Sequence, residues 1–107
     1  MAISKIYERG MAEVVDRLTQ AGYDEVFHGE AGGMRGAPSG LLHQPEELAI
    51  DLIERFEGIS NPDDETIVLA LTCKTHGCRG TYVAPFGKDM SSTDATLIRK
   101  IPDARKR

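Results

Sequence analysis

The sequence predicts a single α+β domain, built as a small two-layer sandwich in which N- and C-terminal helices pack on an antiparallel sheet of three to four strands. Three observations predict this fold class: an amphipathic N-terminal segment, an alternating apolar pattern from Thr66 to Phe86, and a short C-terminal segment with helix-capping residues. The length of 107 residues and the hydrophobic content of 40% are typical of one globular domain. We therefore treat residues 1–107 as one unit.

The N-terminal segment is predicted to be a helix from Ile3 to Ala21. Its apolar residues recur at intervals of three and four positions, which is the spacing of one helix face. They are Ile3, Ile6, Tyr7, Met11, Val14, Val15 and Leu18. Gly22 stands where a left-handed residue ends a helix. The residues from Tyr23 to His28 then alternate as a short strand does.

A glycine-rich segment, residues 29–43, is predicted to be a mobile surface loop. Five glycines lie between Gly29 and Gly40, and no regular element is expected to tolerate that density. The backbone amides of such a loop can bind an anion or phosphate beside a guanidinium group. The candidate residues are Gly32, Gly33, Arg35 and Gly36. Neither nucleotide-binding fingerprint is present, so a plain connection is the favoured interpretation.

The segment from Gln44 to Gly58 has two interpretations. A helix is favoured because the apolar residues gather on one side, Pro45 lies in the first turn and Gly58 follows the end. Ile50, Leu52 and Phe56 also fit an alternating pattern, so a strand remains open. The residues Ser60–Asp64 then predict a turn.

The clearest strand runs from Thr66 to Lys74 and pairs with Thr81–Phe86 in a β-hairpin. Apolar residues occupy both faces of the first strand, which predicts a central position in the sheet. A short helix is predicted after the capping candidates Ser91–Asp94 and ends at Pro102. The basic tail 103–107 is predicted to fray.

Two thiols and an imidazole lie close together at the tip of the predicted hairpin, at Cys73, His76 and Cys78. Zinc prefers such ligands, with His28 or His43 available as a fourth. The spacing matches neither paired C-x-x-C knuckles nor a Cys₂His₂ finger. A reversible Cys73–Cys78 disulfide is the second interpretation. The favoured interpretation is that Cys73 is a buried apolar residue and that Cys78 has no special role. The position of His43 in a loop predicts a surface residue.

Composition and charge limit the environment and the partners. The net charge of -4 disfavours nucleic acid as a partner, and the charged residues within the first twenty positions disfavour a signal peptide or membrane span. Two cysteines cannot build a disulfide framework, so we expect a cytoplasmic protein. An exposed strand edge leaves homodimer formation open.

The string RFEGISNPDD, residues 55–64, resembles the core of a family of small bacterial proteins of about this length. The similarity extends from Pro45 to about Gly87 and includes Pro45–Glu47 and the hairpin. Some members are labelled phosphoribosylpyrophosphate synthetase, but the acidic pyrophosphate loop of that enzyme is absent here. The family is uncharacterised, so the resemblance transfers no functional residue. It implies a more extended conformation for residues 50–57.

Three functions are compatible with these patterns. The leading interpretation is a small cytoplasmic binding or interaction module without catalytic activity, because no catalytic set assembles. The second is a metal- or redox-linked protein using Cys73, His76 and Cys78, with His28 as the further ligand. The third is an anion- or phosphate-binding protein, or a small enzyme, using the glycine-rich loop and Arg35.

Overall fold

The computed structural model describes residues 3–57, 65–86 and 90–105, and the side chains of residues 10–56, 65–85 and 90–105. The predicted turn at Ser60–Asp64 and the tail residues 106–107 lie outside this part. The elements are α1 (Ile3–Gln20), β1 (Glu25–Glu30), β2 (Gly33–Ala37), β3 (Leu42–His43), a 3₁₀ helix η1 (Pro45–Glu47), β4 (Leu48–Glu57), β5 (Glu65–Cys73), β6 (Arg79–Phe86) and α2 (Ser92–Lys100).

The strands form one six-stranded mixed sheet in the order β3-β2-β1-β6-β5-β4. Each half is an antiparallel meander, β1 to β3 on one side and β4 to β6 on the other. A short parallel pairing between β1 and β6, from Glu25–Gly80 to Phe27–Tyr82, joins the halves. The α+β class is therefore confirmed, whereas the predicted three to four antiparallel strands describe only part of the sheet.

Residues 29–43 are not the predicted mobile loop, because they contain β2 and β3. Glycine is required here for close packing. A Cβ on Gly36 would meet the Glu25 carboxylate at 2.6 Å and the Phe27 ring at 3.1 Å, and a Cβ on Gly33 would collide with the His43 carbonyl oxygen. The sequence prediction failed because a dense run of glycines indicates a flexible loop as readily as a strand under close contact.

The helix predicted for Gln44–Gly58 is also wrong, and the strand alternative is correct from Leu48 onward. Leu48 pairs with Cys73 and Ile50 with Leu71, and the register then shifts at Asp51 so that Leu52 pairs with Ala70. This β-bulge interrupts the alternation and places apolar residues at neighbouring positions. The resulting spacing imitates one face of a helix.

The central hairpin is confirmed. Strand β5 lies between β4 and β6, and its residues Ile67 to Leu71 are buried. Alternate positions of β5 face different layers, since Ile67, Leu69 and Leu71 belong to the main core whereas Val68 and Ala70 do not. The prediction of a strand covered on both faces is therefore correct.

The two helices cover opposite faces of the sheet, which corrects the two-layer arrangement with both helices on one face. Helix α2 contributes Leu97 to the core that contains Ile67 and Leu69. Ile101, which follows the helix, belongs to the same core. Helix α1 lies over the other face, where its residues border Val83 and Leu52. Because both faces of β5 are apolar, each needs its own helix.

Both ends of this scaffold are fixed by backbone contacts. Gly22 ends α1 with a φ of 107°, and the Tyr23 N–H donates to the Leu18 carbonyl at 2.9 Å, as predicted for a helix end. After α2, Asp103 bridges to Ile50 on the edge of β4.

No helix among the described residues is long and apolar enough to cross a membrane.

Candidate metal centre

The turn between β5 and β6 wraps around the Cys73 sulfur. The Cys73 N–H donates to the Cys78 carbonyl at 2.7 Å, and the Gly77 N–H donates to the Cys73 carbonyl at 2.8 Å. Gly77 has a φ of 77°, which lets the chain close this tight turn. The His76 N–H donates to Cys73 Sγ at 3.4 Å, and His76 Nδ1 lies 3.4 Å from the same sulfur. Two potential ligands are thus held side by side.

The segment between β3 and β4 passes over the tip of this hairpin. Strand β3 lies at one edge of the sheet and β4 at the other, so η1 crosses between the edges. The Lys74 N–H donates to the Glu47 carbonyl at 2.7 Å, which fixes the crossing segment to the turn. His43 ends β3 just before η1 and Glu47 is the last residue of η1, so both are carried to the hairpin tip.

His43 is fully buried, which corrects the prediction that it lies on the surface. Its ring packs edge-on against Phe27 with centroids 5.5 Å apart and against His76 with centroids 5.2 Å apart. Its Nε2 atom is 3.5 Å from Cys78 Sγ. The Met34–His43 pairing between β2 and β3 sets the depth of this side chain.

Two buried polar atoms at this place lack a hydrogen-bond partner within the described part of the chain. They are Nδ1 of His43 and Oε1 of Glu47. Buried polar atoms are nearly always paired, and one that is not costs about 1–3 kcal/mol. Atoms of this kind are ordinarily satisfied by a bound water or ion.

Four side chains converge here, each with a ligand atom within 4.8 Å of the others: His43, Glu47, Cys73 and His76. Imidazole nitrogen, thiolate sulfur and carboxylate oxygen are the atoms that bind zinc. Zn–S and Zn–N bonds of about 2.3 and 2.0–2.1 Å at a tetrahedral angle place sulfur and nitrogen roughly 3.5 Å apart. The Cys73–His76 separation of 3.4 Å therefore fits two ligands of one ion.

The pKa of His43 also favours metal binding. Burial lowers this pKa, and the neighbouring His76 lowers it further. The imidazole is consequently neutral near pH 7, which is the form that coordinates a metal. Burial also raises the pKa of the Cys78 thiol, with Cys73 adding to the effect.

Of the metal ligands predicted from sequence, Cys73 and His76 lie in the cluster, and Cys78 adjoins it through His43. His28 is exposed on β1, opposite Arg35, and is not in the group. Glu47 was not predicted, although its position four residues after His43 is a weak signal. The sequence could not show that η1 crosses the hairpin.

The residues of the predicted anion site lie elsewhere. Arg35 donates to both Glu30 carboxylate oxygens at 3.0 Å and to the Gly40 carbonyl at 2.9 Å. The Gly36 N–H donates to the Leu41 carbonyl at 2.9 Å, and Gly33 belongs to β2. Gly32 lies in the turn before β2. Anion binding by this segment stays a prediction.

Comparisons with protein-family models, with curated proteins and with solved structures each found no match to this chain. Any role for the cluster is therefore argued from its own residues.

Proposed function

We propose that this protein binds zinc through His43, Glu47, Cys73 and His76, and that the metal clamps the crossing segment to the β5–β6 hairpin. The observation that carries this proposal is the pair of buried atoms without partners, His43 Nδ1 and Glu47 Oε1, in a cluster of four potential ligands. This is the metal-linked alternative of the sequence analysis, with His43 and Glu47 in place of Cys78 and His28.

The ligand types favour zinc over harder cations. Magnesium and calcium select sites made only of oxygen, whereas this cluster has two imidazoles, one thiol and one carboxylate. Zinc accepts all three ligand types in a tetrahedral arrangement. Four protein ligands complete that arrangement and leave no position for a substrate, which is typical of a structural site.

The burial of the cluster supports the same role. His43 and Cys73 are fully buried, Glu47 is partly buried, and His76 is exposed. A metal held there joins residues that are far apart in sequence, and its binding energy adds to the stability of the fold. A zinc-clamped domain is compatible with the leading sequence interpretation, a non-catalytic binding module.

Zinc binding is tested with tag-free protein by native mass spectrometry and by competition with a chromogenic zinc chelator. His76→Ala removes the exposed ligand with little risk to the core, and His28→Ala is the matched control on β1. Glu47→Gln removes the carboxylate ligand. Its matched control is Glu46→Gln, which makes the same change at the exposed neighbouring residue.

The wild type and both controls should bind one zinc ion per chain. Each ligand variant should bind at least about 10-fold more weakly, because loss of a ligand costs no less than the 10- to 100-fold measured for outer-shell partners. Equal affinity in His76→Ala and His28→Ala would refute the proposed site.

A further inference from the structure

Cys78 adjoins the metal centre but is not one of the four clustered ligands. Its Sγ lies 3.5 Å from Nε2 of His43, and it packs against the core. It is partly exposed, whereas Cys73 is fully buried. An oxidant from solvent can therefore reach Cys78 before it reaches Cys73.

The two cysteines occupy opposed positions at the end of the hairpin. The last pair in the β5–β6 register is Thr72 with Arg79, and the next position outward places Cys73 opposite Cys78. The Cys73 N–H donates to the Cys78 carbonyl at 2.7 Å, which holds the two backbones together. Opposed residues of an antiparallel pair have Cα atoms about 4.5–5.5 Å apart, within the disulfide range of roughly 4.4–6.8 Å.

We propose that the zinc centre responds to peroxide: oxidation joins Cys73 and Cys78 in a disulfide, and the loss of the Cys73 thiolate releases the metal. The inference rests on the proposed zinc site and adds a chemical signal that controls it. It follows from one cysteine being a ligand while the other lies opposite it and nearer the solvent.

The reaction has two balanced steps. The Cys78 thiol first gives its proton to water, and its thiolate attacks one oxygen of the peroxide; the O–O bond breaks, and the departing hydroxide takes up a proton to become water, which leaves a sulfenic acid. The Cys73 thiolate then attacks that sulfur, the S–S bond forms and the S–O bond breaks. The departing hydroxide takes up a proton from the buffer and becomes a second water molecule. The thiols lose two electrons in total, and the peroxide gains them.

Release of the metal follows from the change in the ligand. A disulfide sulfur carries no negative charge, so the site keeps His43, Glu47 and His76 but loses its thiolate. The metal then no longer joins η1 to the hairpin. A small thiol reverses the change by thiol–disulfide exchange, after which zinc can bind again.

The test adds hydrogen peroxide to the zinc-loaded full chain and follows free zinc with a chromogenic chelator. Intact mass reports the loss of two hydrogen atoms, and dithiothreitol is then added with zinc. The matched variant is Cys78→Ser, which keeps the approximate size of the side chain while every ligand remains. Cys78→Ala is the second variant.

The wild type should release its zinc, lose two hydrogens and regain zinc after reduction, whereas both variants should keep zinc at least about 10-fold longer. Equal release from the wild type and Cys78→Ser would show direct oxidation of Cys73 and overturn the proposal. If the variants bind no zinc while the wild type does, Cys78 is itself a ligand, and the proposal is overturned as well. A wild type that never loads zinc would refute the metal site itself.

Discussion

Replacing Glu47 by methionine should stabilise the metal-free protein. Oε1 of Glu47 is buried without a partner, and methionine fills similar space with no polar atom to desolvate. An unpaired buried polar atom costs about 1–3 kcal/mol. Because Glu47 is only partly buried, we take the lower limit and expect Glu47→Met to gain about 1 kcal/mol. At a urea slope of about 2 kcal/mol/M this gain raises the midpoint by roughly 0.5 M.

Zinc should reverse the order of stability of the wild type and Glu47→Met. At free zinc about 100-fold above Kd, the wild type gains about 2.7 kcal/mol, whereas the variant lacks a ligand and gains little. Urea unfolding followed by circular dichroism, in chelator and in zinc, measures both orders. The control is Glu46→Met, which alters an exposed side chain and should change neither. A Glu47→Met protein less stable than wild type in chelator would refute the reasoning.

Three further predictions concern the scaffold. Tyr82→Phe should cost about 2 kcal/mol in urea unfolding, because the buried hydroxyl donates to the Asp94 carboxylate at 2.5 Å; a loss below about 0.5 kcal/mol would contradict this. Gly33→Ala should lower the melting temperature by more than about 4 °C, since its Cβ collides with the His43 carbonyl, and an unchanged melting temperature would argue against the strand. Metal-free wild type should lose stability as the pH falls below about 6.5. Burial lowers the pKa of His43 in the folded chain, so the unfolded chain, where this pKa has its ordinary value, binds a proton at a higher pH. His43→Gln should reduce that slope between pH 7.5 and 5.5, and an equal slope would rule His43 out as its source.

The central hairpin was predictable because its information is local. The apolar residues of β5 run without interruption from Ile67 to Leu71, and the turn joins neighbours in sequence, so no distant contact is needed to recognise the pair. The N-terminal helix was predictable for the same reason, since its pattern and the Gly22 terminator lie within one segment.

The mobile loop predicted for the glycine segment and the helix favoured for β4 were wrong because tertiary contacts decide both segments. Gly36 is required by the approach of Glu25 and Phe27, which a sequence read in isolation does not show. In β4 the bulge at Asp51 breaks the alternation, and its carboxylate accepts hydrogen bonds from Tyr23 at 2.8 Å and Thr72 at 2.5 Å. These partners come from two other parts of the chain.

The metal centre was half predictable. Cys73 and His76 lie within one turn, so their spacing was visible, whereas His43 and Glu47 reach the site only because β3 and β4 occupy opposite edges of the sheet. That strand order depends on the β1–β6 pairing, which has no signal in the sequence pattern.

The measurement that tests the central claim most directly is X-ray absorption spectroscopy at the zinc edge on the zinc-loaded protein. The account predicts four ligands: one sulfur from Cys73 at about 2.3 Å and three nitrogen or oxygen atoms at about 2.0–2.2 Å, from His43, Glu47 and His76. A shell without sulfur would place the metal elsewhere on the protein. A shell with two sulfurs would include Cys78, and either result would contradict the assignment.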